Sequence, residues 1–476
     1  MPRVIYSELL QDQPAFQNQG LTVCDGVYAI ANGFAPMPAF SPLGNGTLAG
    51  PAIGASAYRV ASTVYLFAGT ATDIYRYQTG GFTSLISGLS TAQGIGLRFQ
   101  QYSNLMLATN GIDPIKKFDP GSPTTFTNLG GTPPTARYMA VVRGFLVIGY
   151  AAGDALRVAW SDNGVPTTWT PGTGEAGFYI QPSGGDITGV VGGEFGLVFQ
   201  ESRILRMSYT ADDTIWQFDE IASDIGCIAP NSIATHGRIT YFLSNRGFMM
   251  TDGASVTPVG AEKIDRTFLS LLSRTYLSNM SAVIDPKNSL YIVMLPSAAP
   301  PTTAYVLNYA LNKWTTAQIT AELLFSALSQ GVTLEDLDAI YTYLEAIPIS
   351  LDDPSFRGGY PLLLLFDASN QLGSLSGPPV KATFVDGQSE LNPGIKTRIR
   401  TIRLLGDTPT ATVTVLGSNT LSQSMAPTSY STHQASGVYK VRENWNYTQI
   451  MIEIPAGTQY SFMQGYDLVA VQGGRA

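Results

Sequence analysis

The sequence predicts an all-β protein: a β-propeller of about six to seven blades followed by a C-terminal antiparallel β-sandwich. Three observations predict this class. Short hydrophobic runs recur at steps of about 40 to 50 residues, Gly (49) and Pro (29) are frequent between them, and roughly the last hundred residues carry longer alternating strands. A period of about 40 to 50 residues with several strands per unit is typical of a β-propeller.

The repeat is defined by hydrophobic centres that end in Gly, Asn, Asp or Pro, as strands bounded by turns do. The steps between six successive centres are 41, 41, 50, 44 and 50 residues. Their middle residues are Tyr65, Met106, Val147, Leu197, Tyr241 and Tyr291. A seventh centre, Leu362–Phe366, follows after a longer step. We therefore expect six regular blades and one interrupted or composite blade.

Residues 137–170 illustrate one predicted blade. Strands are expected over Arg137–Val142, Phe145–Tyr150 and Leu156–Trp160, with a short outer edge that ends at Trp169. Residues 187–221 and 281–318 repeat this order of strands and turns. Four short antiparallel strands per unit are what a propeller blade requires.

Two helices are predicted to interrupt the strands. One lies in an insertion at about residues 332–356, and the other covers Glu262–Leu277, where apolar residues recur at helical spacing. The strand rhythm changes near Ser376–Pro379. The predicted domains are an N-terminal arm (1–50), a β-propeller (51–377) and a C-terminal β-sandwich (378–476).

The composition excludes several classes. Charged residues make up only 13% of the chain, so we expect other subunits to cover much of its surface. The net charge of -8 and the pI of about 4.9 disfavour a dedicated nucleic-acid-binding protein. Cys24 and Cys227 form no motif and are predicted to be buried free thiols. There is no signal peptide pattern and no apolar run long enough for a membrane span, so we expect a soluble chain.

The search for catalytic or cofactor motifs predicts a protein that is not an enzyme. Gly172–Gly177 matches G-x-G-x-x-G, but the β-like Phe178–Ile180 follows where the dinucleotide motif needs a helix. His236 and His433 lie in different predicted domains, and two His with two Cys are too few for a zinc site of those ligands. No cofactor and no metal are expected.

Two pairs of neighbouring carboxylates are candidates for the two catalytic carboxylates of a glycosidase. Asp212–Asp213 and Asp352–Asp353 are adjacent, and adjacent strand residues point to opposite faces, so turns are the better interpretation. The segment from Ser161–Gly164 to Trp169 superficially resembles an Asp-box of sialidases, but its spacing differs and it occurs once.

One basic stretch is distinctive. Lys396, Arg398 and Arg400 alternate with apolar or small residues, so on a strand all three cations lie on one face. Two interpretations stay open. The face is either solvated or salt-bridged to another subunit, or it belongs to a basic ring in a pore that touches DNA phosphates. The acidity of the chain indicates that any DNA contact is transient.

Several segments, in order along nearly the whole chain, resemble the tail hub, or nozzle, proteins of short-tailed bacteriophages. The opening Asp12–Gly20, followed by Gly33–Pro38, is similar to their acidic-x-P-x-F-x-N-x-G and G-Y-x-P-x-P patterns. Other similar segments are Arg157–Asp162 through Trp169, Ser350–Asp353, Leu364–Asp367, Leu372–Gly377, Gly437–Tyr439, Ile452–Gly457, Gln464–Asp467 and Gly473–Arg475. Cys24–Val27 departs from the family pattern.

The resemblance implies a structural virion protein, made in the bacterial host cytoplasm and located in the virion tail. It implies a homo-hexamer below the portal and adaptor ring, beside tail needle, fibre or spike proteins. This ring would retain the packaged genome and pass genomic double-stranded DNA during ejection. The alternatives are a propeller-type host-receptor or glycan-binding tail protein, and a carbohydrate-active enzyme.

Overall fold

The structure, a computed structural model, describes residues 3–61, 63–78, 81–91, 94–122, 124–212, 214–298, 300–328, 343, 361–430 and 437–472. The predicted helix within 332–356 lies outside these residues. The first 50 residues, predicted as an aperiodic arm, contain five strands. They are β1 (Arg3–Ile5), β2 (Leu21–Asp25), β3 (Val27–Ile30), β4 (Gly33–Pro36) and β5 (Pro38–Thr47).

The β-propeller is a ring of seven four-stranded blades within the described residues. The first three blades are β6 (Gly54–Val60), β7 (Thr63–Gly69), β8 (Ile74–Gln78), β9 (Gly81–Ile86); β10 (Arg98–Tyr102), β11 (Leu105–Thr109), β12 (Lys116–Phe118), β13 (Thr127–Asn128); and β14 (Ala136–Val142), β15 (Phe145–Ala151), β16 (Arg157–Trp160), β17 (Gly177–Ile180). The second strands, such as β15, are buried along almost their whole length. They are therefore apolar runs, and their spacing shows the blade period in the sequence.

The next three blades continue the same antiparallel order. They are β18 (Ile187–Val191), β19 (Gly196–Gln200), β20 (Arg203–Tyr209), β21 (Trp216–Ser223); β22 (Ala234–His236), β23 (Ile239–Ser244), β24 (Gly247–Thr251), β25 (Val256–Pro258); and β26 (Ala282–Asp285), β27 (Leu290–Met294), β28 (Thr303–Asn308), β29 (Lys313–Gln318). The predicted blades 187–221 and 281–318 are confirmed, and their fourth strands are β21 and β29, which contain Trp216 and Trp314.

The seventh blade is composite. Its first three strands are β30 (Leu323–Leu328), β31 (Pro361–Phe366) and β32 (Gln371–Pro379), and its outer strand is β5 from the N-terminal arm. β30 also contacts β6 of the first blade. The ring is therefore closed by a strand that lies more than 300 residues from its partner in the sequence.

Two local predictions were wrong. The outer strand of the third blade is Gly177–Ile180 and does not end at Trp169, because the Trp169 side chain turns into the core shared with the second blade. The helix predicted over Glu262–Leu277 is α-helical only as α1 (Asp265–Leu271). Leu272 and Ser273 are extended, and a 3-10 turn (Arg274–Asn279) follows them; another covers Pro230–Ser232.

The sandwich has two sheets. Its further strands are β33 (Ala382–Asp386), β34 (Thr397–Gly406), β35 (Thr412–Ser418), β36 (Ala426–Tyr430), β37 (Val438–Trp445), β38 (Tyr447–Ile454) and β39 (Met463–Gln472). One sheet has the order β3-β4-β39-β34-β37, with β1 also paired to β39. The other has the order β2-β33-β38-β35-β36 and is continuous, through β2, with β29 of the sixth blade.

The arm therefore joins the two domains. β2 pairs with β33 over several residues and meets β29 at Asp25↔Thr316. Gly26 then turns the chain with φ +74°, and a Cβ there would lie 1.9 Å from the carbonyl oxygen of Lys381. Only glycine fits this close backbone approach. Phe384 of β33 stacks on Tyr6 of the arm, with ring centroids 5.3 Å apart.

We expect Gly373→Val to destabilise the propeller by about 2 kcal/mol or more, because overpacking a tight backbone contact forces strands apart. A Cβ at Gly373 would lie 2.4 Å from the carbonyl oxygen of Ser41 in β5. Chemical unfolding measures the loss. The matched control is Gly81→Val, since a Cβ at Gly81 meets nothing within 4 Å. Equal stability of the two variants would contradict closure by β5.

Candidate functional site: a basic face on the sandwich

Strand β34 carries the basic residues that the sequence singled out. Arg398 and Arg400 are exposed on it, and Lys396, just before it, is half-buried. The alternate residues Thr397 and Ile399 are buried in the sandwich. Arg398 and Arg400 therefore lie on one face of the strand, whereas Lys396, predicted to share that face, precedes the strand.

The face contains more basic residues than the three that the sequence predicted. Arg403 is exposed further along β34, and Lys440 and Arg442 are exposed on the neighbouring β37, whose alternate residues Tyr439 and Val441 are buried. Lys440 lies directly opposite Thr401 of β34. We call this set the basic face; its members are Lys396, Arg398, Arg400, Arg403, Lys440 and Arg442.

Carboxylates are scarce on this surface. Asp467 of β39 lies opposite Arg403, but it is already paired with Arg3, whose Nε is 2.8 Å from Oδ1. That hydrogen bond and charge lower the pKa of Asp467, with Arg403 contributing. Among the described residues, no ion pair joins a member of the basic face to a carboxylate. The rest of the chain holds 21 basic and 35 acidic residues, so this patch is opposite in sign to its own protein.

A register shift between Ile399 and Thr401 shapes the face. The pairing of β34 with both β37 and β39 is irregular there. The shift brings Arg403 to the same side as Arg398, although Arg403 is five positions further along the strand and an odd step normally changes the face. Ile399 and Ile402 both point inward. Such bulges re-aim side chains at functional or interface positions in many sheets.

A buried carboxyl lies between this sheet and the other sheet of the sandwich. Asp386, at the end of β33, accepts a hydrogen bond from the Ile450 N–H at 2.7 Å and another from the Tyr466 hydroxyl. Burial raises the pKa of Asp386 to about 7, while these hydrogen bonds oppose the rise. Tyr466 belongs to β39, so this contact fastens the two sheets together.

The other sequence candidates have structural roles where they are described. The Gly172–Gly177 loop is held by Asp162, whose Oδ1 accepts from the Glu175 N–H at 2.9 Å, and the strand β17 follows. Asp212 accepts from Thr210 and Thr214 within a turn, and these hydrogen bonds lower its pKa. His236 packs against Tyr309.

Some candidates lie outside the described residues, namely His433, Asp213 and the Asp352–Asp353 pair. In the described part, Cys24 and Cys227 are free and buried, as predicted. No group of three His, Cys, Asp or Glu residues is close enough there to hold a metal. No described helix has both the length and the apolar character needed to cross a bilayer.

Comparison with solved structures finds only distant similarity. No family model and no curated protein matches the sequence. The WD40 domain of Neurospora crassa Pan2 is similar over 68% of this chain and 90% of that chain, at 9% identity and a TM-score of 0.39. A quinoprotein alcohol dehydrogenase-like protein from Bacteroides thetaiotaomicron is similar over 56% of this chain and 66% of that chain, at 13% identity and a TM-score of 0.33. The chain is a β-propeller with an additional β-sandwich.

We expect the stability of the protein to fall by about 2 to 4 kcal/mol between about pH 4 and pH 7 because of Asp386. Its folded-state pKa is raised, so over this range the folded state holds a proton that the unfolded state has released. Asp386→Asn should remove this part of the pH dependence, because an amide does not titrate. The variant should keep the fold, because the amide oxygen still accepts the hydrogen bond from the Ile450 N–H. Urea unfolding at several pH values measures it.

The control for this experiment is Asp467→Asn. The pKa of Asp467 is lowered, so the stability that it provides is lost as the pH falls, and its removal changes the slope in the opposite sense. An unchanged slope in Asp386→Asn would contradict the assignment of a proton to Asp386.

Proposed function

We propose that the protein is a non-enzymatic tail hub, or nozzle, of a short-tailed bacteriophage. In this role six copies form a ring below the portal and adaptor. The ring retains the packaged genome and provides the channel for DNA ejection, next to needle, fibre or spike proteins. The observation that carries the proposal is the ordered set of sequence segments that resemble this family along nearly the whole chain.

The position of the resembling segment Asp12–Gly20 supports the proposal. The carboxylate of Asp12 accepts hydrogen bonds from the N–H groups of Arg266 and Thr267, both at 2.8 Å, at the start of α1. Asn18 donates to the Leu10 carbonyl and accepts from the Gly20 N–H. Asp12 thus fixes the arm to the propeller, and Asn18 holds the turn within the arm, which gives a physical reason for such a pattern to recur in proteins of one architecture.

The architecture also suits a ring subunit under mechanical load. Each blade packs both faces against its neighbours, and a closed propeller leaves only short strand edges. β2 connects this rigid body directly to the sandwich. A ring of such subunits resists the outward pressure of a packed genome without relying on a flexible linker.

The basic face is assigned, within this proposal, to contact with a neighbouring copy. The other 21 basic and 35 acidic residues make the remainder of each subunit acidic, so an adjacent subunit offers charge of the complementary sign. Complementary patches fix register and favour the correct partner. Head-to-tail contacts of this kind close into rings when the rotation between copies permits.

Quantitative mass spectrometry of density-purified particles tests the proposed function. We expect this chain at half the copy number of the portal, as a six-fold hub on a twelve-fold portal requires. A trimer-based count that differs from half the copy number of the portal would match a spike and favour the receptor-binding alternative. Absence from the particle would contradict a virion role altogether.

Charge reversal tests the assignment of the basic face. We expect Arg398→Glu/Arg400→Glu to weaken self-association at low salt by at least tenfold, measured by sedimentation, with little change in unfolding because both side chains are exposed. The control is Arg59→Glu/Lys287→Glu, two exposed cations of the propeller. Unchanged self-association, with loss of binding to a DNA duplex, would assign the face to DNA instead.

A further inference from the structure

Three cavities lie along the axis of the propeller and share lining residues. One of about 380 Å³ is lined by the first strands of blades one, two, five, six and seven, and one of about 510 Å³ by those of blades two to five. A third, of about 190 Å³, lies beside them. Arg98, the first residue of β10, lines all three.

Two arginines border the smallest cavity. Arg98 donates to Oδ1 of Asn231, and its guanidinium lies 5.8 Å from the ring centroid of Tyr138. Arg137 follows the first residue of β14, and its guanidinium stacks on Tyr150 at 3.6 Å. The Asn231 amide is oriented in turn by its donation to the Ser278 carbonyl at 3.0 Å. The cations are therefore held in place by packing and hydrogen bonds rather than by counter-charges.

No carboxylate among the described residues pairs with these charges, although Glu322 lines an adjoining cavity that shares Asn231 and Ser278 with the third. None of the residues that line the three cavities is Asp or Glu, and neither arginine forms an ion pair there. Cys227 lies near Arg98, but burial raises the pKa of its thiol to about 11, so it is neutral. Burial also raises the pKa of Tyr138.

The arginines nevertheless remain charged. Burial lowers the pKa of Arg98, but a guanidinium is not deprotonated at neutral pH in proteins. Arg98 is half-buried, and only one of its five N–H donors has an acceptor among the described residues, so its other donors are open to the cavity that it lines. An oxyanion in the cavity would supply both the missing charge and the missing acceptors.

We propose that the cavity between Arg98 and Arg137 is a binding site for a small oxyanion, of the phosphate or carboxylate class. Guanidinium groups bind both classes through paired N–H donors. Asn231 and Tyr138 border the same space and supply polar groups around the anion. The adjoining cavities leave room for an organic body attached to the anionic group. This site is independent of the proposed virion role.

The test uses the purified full-length chain with two probes, sodium phosphate and sodium succinate, titrated by calorimetry and followed by thermal unfolding. Sodium chloride at equal ionic strength is the reference. We expect at least one probe to bind and to raise the unfolding temperature beyond the chloride reference. The probe that binds more tightly distinguishes the phosphate from the carboxylate source.

Substitutions of the two arginines test whether the anion binds in this cavity. Arg98→Met and Arg137→Met should each weaken binding at least tenfold, Arg98→Lys should keep part of it, and Arg59→Met should leave it unchanged because Arg59 is exposed and bonded to Ala61. If Arg98→Met does not fold, Arg137→Met and Arg98→Lys still decide the matter. Binding of neither probe, or equal binding by wild type and both methionine variants, would overturn the proposal. The two arginines would then be solvated by water in the cavity and would bind no anion.

Discussion

The pairing of the N-terminal strands with distant partners is the constraint on which the rest of the structure depends. β5 completes the seventh blade, and β2 lies between β29 of the sixth blade and β33 of the sandwich. The same forty-odd residues thus close the ring and attach the second domain. Without β2 the outer edge of the sixth blade and the edge of a sandwich sheet would both be left unpaired, a condition that favours aggregation.

This arrangement connects the fold to the proposed role. The sandwich sheet that carries the basic face contains β1, β3 and β4 of the arm, while the other sheet continues the sixth blade. The contact of Asp386 with Tyr466 joins the two sheets at their centre. In the proposed ring, force applied to the basic face by a neighbouring subunit would reach the propeller through strands and a buried hydrogen bond, which a flexible tether would not provide.

Much of the propeller could be predicted because its signal is local. Buried second strands such as Phe145–Ala151 are continuous apolar runs between turns, and their spacing reveals the blade period. The pairing of β5 with β32 could not be predicted, because partners so far apart are selected by tertiary packing. The edge at Trp169 was misplaced because a buried tryptophan can belong to a strand or to a loop that folds inward.

The candidate face was predicted in part for the same reason. The alternation of Lys396, Arg398 and Arg400 is visible in the sequence, whereas Arg403 falls out of phase until the register shift is known. Lys440 and Arg442 alternate with buried residues on β37, but only the sheet order shows that β37 neighbours β34.

The measurement that tests the joining role of the arm most directly is amide hydrogen exchange of the intact chain, read at β2 and β5. We predict that their amides exchange as slowly as those of β29 and β32. Exchange at the rate of a free peptide, while the blades stay protected, would contradict the joining role of the arm.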